Sequence, residues 1–316
     1  MPVVVTGAAG FLGRSVLAHL RSRGDDVVAI DRHPIAPAAG TTLRTGTGSV
    51  VVTADLLDPD ARAVTAAFAA AEAVIHLAGC PGVRDHGPGV HERRERDNVA
   101  ATARVLAAVP LGVPLVVVTS SSVYGGARPG RASHEDDPVA PRGGYAESKV
   151  RAEALCRARL GAGGRVVIAR PFTVVGEGQR PDMALHRWVL DLAAGRPATV
   201  LGSPWRTRDF TDVREVARAL VALADCGATG AVNIGSGRPR TLHEAVAAVA
   251  AALGVAPHLR VLAAHPDEVV DTWADGGRLR AITGITPRTD LVAIARRLAT
   301  ELLPFERLPA ELIRTG

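Results

Sequence analysis

The sequence predicts an α/β protein organised on a doubly wound parallel sheet, and three observations predict it. Short apolar runs alternate with stretches of helical period as far as Pro171. The chain opens with a strand, a glycine turn and a helix: 2–5 (PVVV), 6–13 (TGAAGFLG), then an amphipathic run to about Arg23. The residues able to do chemistry fall at the carboxyl ends of the predicted strands, where open parallel sheets hold ligands. The expected architecture is therefore α/β: a Rossmann-like doubly wound parallel sheet with a smaller mixed α/β C-terminal substrate domain.

Taken in order, the glycines of the first turn have distinct tasks. Gly7 permits the tight turn, Gly10 lets the backbone approach a pyrophosphate, and Gly13 lets helix and sheet pack closely. The helix N-terminus offers free N–H groups and a partial positive charge to phosphates. Residues 26–30 form the second strand, and Asp31 ends it, 18 residues after Gly13. A carboxylate there accepts hydrogen bonds from both adenosine ribose hydroxyls and repels a 2′-phosphate, so NAD is expected over NADP. Arg32, next to it, is the residue that would tolerate that phosphate. Residues 34–48 read as loop and 49–53 as the third strand, with Asp55 and Leu56 in reach of an adenine. A helix over 59–70 leads to a fourth strand, 73–77, which runs into HLAG at 76–79. His76 continues that apolar run and is expected to be a hydrogen-bonded core histidine. A helix over 90–109 carries Asn98, 114–118 is the fifth strand, and 165–169 the sixth.

After Pro171 the alternation stops. Residues 172–180 read as glycine-bearing loop, 183–195 as helix, and a short strand is expected near Thr199. A helix ending near Ala224, a strand at 231–234 and amphipathic helices over 242–253 and 291–303 follow. The domain reading is 1–172 plus about 209–237 for the dinucleotide, and about 173–208 with 238–316 for the substrate.

Composition bounds the function. The chain has 316 residues, 47% hydrophobic and 22% charged, which describes a globular protein. Its net charge of +5 would suit nucleic acid, but the arginines are scattered and only 3% of residues are aromatic. No stacking platform or zinc spacing appears, so no nucleic-acid partner and no metal are expected. Cys80, Cys156 and Cys226 are far apart and lack a CxxC spacing, as reduced cytoplasmic thiols would be. No basic and apolar leader opens the sequence, and no apolar run nears the roughly 18 residues of a membrane span.

The densest stretch is 119–149, TSSSVYGGARPGRASHEDDPVAPRGGYAESK. It holds both tyrosines of the chain, and Lys149 is its only lysine among 37 basic residues. Tyr145 and Lys149 are four residues apart, one helical turn, and so share a face. Arginine supplies charge but not a compact ammonium able to hydrogen-bond a ribose beside a phenol.

These residues resemble the extended short-chain dehydrogenase/reductases that act on nucleotide sugars, over nearly the whole chain. The resemblance rests on TGAAGFLG at 6–13, Asp31, Asp55-Leu56, HLAG at 76–79, Asn98, SSSVYG at 120–125, YAESK at 145–149, GQRPDM at 178–183, RDFTDV at 208–213 and NIGSG at 233–237. It implies a catalytic set of Ser120, Tyr145 and Lys149, organised by Asn98. It implies NAD contacts from Gly7, Gly10, Phe11, Leu12, Gly13, Asp31, Arg32, Asp55, Leu56, Leu77, Ala78, Gly79, Asn98, Tyr145, Lys149 and Pro171. SSSVYG and FTVVGEGQRPDM look most like UDP-glucuronic acid 4-epimerases. By that likeness Thr173 and Arg180 would hold a sugar carboxylate, Arg208 the UDP phosphates, and Ser121 and Ser122 the sugar. Hydroxyls at Ser121 and Ser122 argue against the acidic residues of related dehydratases and decarboxylases. The sequence departs from the pattern at Val175, Glu177 and His265–Glu268, all close to the expected substrate. Arg84 is a further candidate contact.

The implied chemistry needs a basic phenol. Phenol titrates near 10, and lowering that by about 3 units takes about 4 kcal/mol, within reach of Lys149 and a positive nicotinamide ring together. Tyr145 would then deprotonate the sugar 4-hydroxyl, with Ser120 relaying the proton, through a transient 4-keto sugar. A grip on the carboxylate by Arg180 and Thr173 would resist its loss as carbon dioxide. The alternatives are a UDP-glucose or UDP-N-acetylhexosamine epimerase, a dehydratase or reductase of the same family, or a non-catalytic NAD-binding regulator. The family also implies a homodimer, through the helices bearing Tyr145 and Asn98.

Overall fold

The computed structural model describes residues 1–35, 49–82, 87–265 and 268–304. Most of the loop expected over 34–48, Arg84, part of the 265–268 segment and the tail beyond Pro304 lie outside them.

Seven strands form one parallel sheet: β1 (Val3–Thr6), β2 (Val27–Asp31), β3 (Val50–Thr53), β4 (Ala73–His76), β5 (Leu115–Val118), β6 (Val166–Pro171) and the later β11 (Gly230–Ile234), in the order β11-β6-β5-β4-β1-β2-β3. The order reverses between β1 and β4, and at that point a doubly wound sheet opens a crevice. Successive side chains alternate across the sheet. Val3, Val5, Ile75 and Val167 pack under α1 (Phe11–Arg23) and α7 (Val213–Asp225). Val4, Val74, Leu115 and Ile168 pack on the other face with α2 (Arg62–Ala69), α4 (Ala101–Ala108) and α5 (Gly143–Gly161).

The helix expected over 90–109 is not uniform. It runs as α3 (Val90–Arg94), a π-helical turn over Glu95–Ala100, then α4. The wide turn contains Asn98, and such bulges often re-aim side chains at functional sites.

A second core joins α6 (Ala184–Ala193), α8 (Leu242–Leu253) and α10 (Leu291–Leu302), with β8 (Ala198–Leu201) beside them. The loop expected over 172–180 is corrected in part. β7 (Thr173–Val175) pairs in parallel with β10 (Phe210–Asp212), a long-range pairing no local pattern announces. Four further elements were not expected: β13 (Leu259–Leu262), parallel to β8; the short antiparallel pair β9 (Thr207–Arg208) and β12 (Arg240–Thr241); and α9 (Gly277–Thr283). No described helix is long and apolar enough to cross a membrane.

Candidate active site

A cleft of about 520 Å³ lies at the carboxyl end of the sheet, between the two cores. Phe11, Leu12, Leu77, Gly79, Ser120, Tyr145, Lys149 and Pro171 line one part, and Ser121, Ser122, Thr173, Arg180 and Arg208 line the other. A second hollow, about 590 Å³, opens at the opposite edge around Glu72, Gly112 and Asp225, away from all of these residues.

The turn between β1 and α1 leaves room for a dinucleotide and for little else. Gly7 sits at φ 68°, and a Cβ there would lie 2.5 Å from the Ala78 backbone nitrogen. A Cβ on Gly13 would come within 2.3 Å of the Gly7 carbonyl oxygen. Gly10 is the helix N-cap and carries no capping side chain, so the first N–H groups of α1 are left for an anion. Asp31 closes the far side. Its carboxylate accepts from the N–H groups of Ala9 and His33, both at 2.9 Å. A carboxylate has about four lone-pair sites, so acceptor capacity remains for ribose hydroxyls. These features fit NAD, whose adenosine would lie at Asp31 and whose pyrophosphate would lie at α1.

Arg32 is held elsewhere. Its guanidinium makes a two-point pair with Asp97 at 3.0 and 2.9 Å, which directs it away from a 2′-phosphate role. Asp55 accepts from the Leu57 N–H and pairs with Arg96, while Leu56 is buried in the core.

The catalytic candidates lie on β5 and α5. Lys149 donates to the Val118 carbonyl oxygen at 3.2 Å, and its Nζ stands 5.9 Å from the centre of the Tyr145 ring. Gly79 makes the space for this: a Cβ there would press on Asn98 at 2.7 Å and on Lys149 Nζ at 3.4 Å. Burial brings the Lys149 ammonium down to about 8. The Tyr145 phenol moves the other way. In the protein alone, burial raises its phenol above the usual range, against the pull of the Ser120 hydroxyl and the positive charge of Arg180. Lys149 by itself does not make the phenol basic, so the remaining shift has to come with the bound ligands.

Asn98 is fully buried and its amide is fully engaged. It accepts from Cys80 N–H at 2.8 Å and donates to the Cys80 carbonyl at 3.1 Å and the Ser148 hydroxyl at 2.9 Å. It ties the segment after β4 to α5, the organising role expected of it. His76 is the core histidine expected. It bonds Thr6 and Thr102, and burial first, then Lys149, brings it down to about 3.

Ser120 caps a 3₁₀ turn over Ser121–Tyr124 by accepting from the Ser122 N–H at 3.1 Å. The Ser122 hydroxyl is buried beside the cleft without a hydrogen-bond partner. Arg180 makes a two-point pair with Asp182, both contacts at 2.9 Å. Arg208 holds the Val269 and Val270 carbonyls, each at 2.8 Å, and Glu268 at 3.2 Å. Arg208 thus ties down one rim of the cleft, and a phosphate reaching it would meet Glu268 as well.

Sequence reasoning missed two residues that shape this site. Arg170, 1% exposed, forks onto Glu153 at 2.8 and 2.6 Å and bonds the Tyr124 hydroxyl at 2.8 Å. Asp209 accepts from the N–H groups of Ser236, Gly237 and Ala274 and from the Ser236 hydroxyl, fastening the segments at 236–237 and 274 to the strand that leads from Arg208. The signal was present as a buried-type position inside RDFTDV, but its partners lie 27 to 65 residues away.

Comparison with known proteins agrees with this geometry. The UDP-glucuronate 4-epimerase of Thermodesulfobacterium geofontis is 28% identical over 303 residues, covering 91% of this chain and 92% of its own. The structure of MoeE5 in complex with UDP-glucuronic acid and NAD superimposes with a TM-score of 0.83 at 34% identity, over 96% of this chain and 100% of that one. The UDP-glucuronic acid 4-epimerase from Bacillus cereus, in complex with UDP-glucuronic acid and NAD, gives a TM-score of 0.84 at 27% identity, over 96% and 99%. The model of the NAD dependent epimerase/dehydratase family matches residues 3–235, and the chain belongs to that family.

Proposed function

We propose that the protein is an NAD-dependent nucleotide-sugar 4-epimerase that interconverts UDP-glucuronate and UDP-galacturonate. One observation supports the choice of a uronic acid: Arg180 and Thr173 line the same cleft as Tyr145. In a hexuronic acid the carboxylate sits on the carbon next to C4. A group gripping that carboxylate must therefore share the cleft with the base that deprotonates the 4-hydroxyl, as Arg180 does.

NAD supplies a reversible hydride acceptor and a positively charged ring. The protein's own residues do the rest. Tyr145 Oη takes the proton of the 4-hydroxyl, helped by the hydrogen bond from Ser120 and by the surrounding positive charge. Lys149 holds the ribose and contributes its ammonium. Arg180 and Thr173 bind the carboxylate, and Ser121 and Ser122 offer hydroxyls to the sugar. Residues 1–172 with about 209–237 would hold NAD, and the C-terminal core would hold the sugar nucleotide. The face formed by α4, α5 and the π turn is proposed as a homodimer surface. Free Cys80, Cys156 and Cys226 fit a cytoplasmic setting.

The test is turnover of UDP-glucuronate without added cofactor, followed by NMR. Appearance of UDP-galacturonate is expected. Conversion of UDP-glucose with UDP-glucuronate untouched would overturn the uronic-acid reading. Tyr145→Phe should lower kcat by roughly 10² to 10⁴-fold, the range for general acid–base groups, and full turnover by this variant would remove Tyr145 from the reaction.

A further inference from the structure

The loop that carries Arg180 is held from outside. Residues 176–180 begin the connection from β7 to α6, and Gly176 (φ 146°) and Gly178 (φ 77°) adopt backbone angles that other residues rarely take. Such a segment has little stiffness of its own. Its ties come from three helices. Gly178 N–H donates to Glu301 of α10 at 2.8 Å, and the Gly178 carbonyl accepts from Arg14 of α1 at 2.9 Å. Between them Glu177 pairs with Arg297 of α10 at 2.7 Å and with Arg214 of α7. Arg297 continues to Asp212, the N-cap of α7, at 2.6 Å. Helices α1 and α7 belong to the sheet's core, and α10 to the second core. One carboxylate thus joins both cores at the base of the Arg180 loop.

The residue on either side shows which way the support acts. Val175 is 2% exposed and packs in the second core, which fixes the start of the loop. Arg180 ends it and lines the cleft that Tyr145 also lines, paired with Asp182. Glu177 is half-buried. Burial pushes its carboxyl up, but its own backbone N–H and the Arg297 and Arg214 guanidiniums leave it below the usual range. It therefore stays ionised through the neutral range, and both arginines keep their partner.

We propose that Glu177 is a positioning residue: through Arg214 and Arg297 it holds the 176–180 loop so that Arg180 stays aimed at the substrate's carboxylate, and it thereby sets the preference for a uronic acid over a neutral hexose. The clamp itself stands on the contacts above; only the identity of the ligand rests on the function proposed for the site. The two departures at 175 and 177 then have a common purpose, since one buries the loop's entry and the other braces its middle.

The experiment uses the whole protein with NAD and two variants, Glu177→Gln and Arg214→Ala. The second removes one arm of the clamp at an exposed side chain and leaves Arg297 with Asp212. Hydrogen exchange of a peptide covering 176–182 should rise about tenfold in Glu177→Gln and less in Arg214→Ala, while α7 and α10 keep their protection. Unchanged exchange in both variants overturns the clamp. For UDP-glucuronate KM should rise about tenfold with kcat within about threefold, while KM for UDP-glucose stays within about twofold. An equal loss on both substrates overturns the specificity role and leaves a purely structural one. If the wild type converts only UDP-glucose, the uronic-acid reading has failed, and the exchange measurement alone then decides whether the loop is clamped by Glu177.

Discussion

Lys149 shows how much a single side chain can be constrained by its surroundings. It is buried at 8% exposure, donates to the end of β5 and occupies space that Gly79 leaves open. A guanidinium is larger and planar, and the same space would not take it without moving Asn98 or the Tyr145 ring. Lys149→Arg should therefore lose about 10²-fold or more in turnover although the charge is kept, and kcat measurements on a variant with an unchanged melting temperature check this. The direction of a second effect follows from its titration. Because burial brings the amine to about 8, the ammonium is present below that pH and lost above it. The lost charge faces a dinucleotide that carries negative phosphates, so NAD affinity should weaken as pH rises through about 8. Calorimetric titrations of NAD from pH 7 to 9 that show a flat affinity would sink that account. The sign for stability is the opposite one. An amine depressed from 10.5 binds its proton less well folded than unfolded, so this group alone makes folding more favourable as pH climbs from about 8 to 10.5.

At the scale of elements, the strand ends that display Ser120 and Pro171 are held by a buried polar chain. Glu153 on α5 accepts from Arg170 on β6 and from Thr119 at the end of β5. Arg170 reaches Tyr124, whose hydroxyl donates to Asn233 on β11 at 2.7 Å. Removing one partner of a buried ion pair leaves an uncompensated charge, at about 3–5 kcal/mol. Glu153→Ala should be destabilised by that amount in denaturant unfolding, and Glu153→Met combined with Arg170→Met by clearly less. Equal losses would mean that packing, and not the stranded guanidinium, sets the cost. The same chain explains what was legible in the sequence. Every strand of the main sheet announced itself by a local apolar run, and the Tyr145/Lys149 pair by its helical spacing. Arg170 did not, because its partners come from α5, the 3₁₀ turn and the loop at Glu135, 17 to 46 residues distant. Strand β7 was hidden for the same reason. Three residues between Phe172 and a glycine show no pattern, and only the partner strand at 210–212 makes them a strand. The contacts of Arg208 were hidden too, because a charge in a motif does not reveal which carbonyls it will engage.

For the molecule as a whole, the decisive feature is that much of the chain's positive excess lines the cleft. The net charge is +5 over 316 residues, yet the cleft alone is lined by Lys149, Arg142, Arg180, Arg187 and Arg208 against Asp182 and Glu268. Low-dielectric walls concentrate such a field and raise the encounter rate of anions. A nucleotide-linked uronic acid carries one negative charge more than the corresponding neutral sugar. Both should be steered by the field acting on the diphosphate, and the uronic acid also by the field acting on its carboxylate. Salt reveals the difference, since the screening length shrinks from about 30 Å at 0.01 M to about 10 Å at 0.1 M. Over that interval kcat/KM for UDP-glucuronate should fall several-fold further than kcat/KM for UDP-glucose, with kcat of each nearly constant. Arg187→Gln should narrow the gap, because Arg187 is an exposed cation of the cleft wall whose removal weakens the field without touching Arg180 or Tyr145. If both substrates lose kcat/KM in equal proportion, the extra charge is not felt on approach, and discrimination must arise only after binding, from the short-range contact with Arg180.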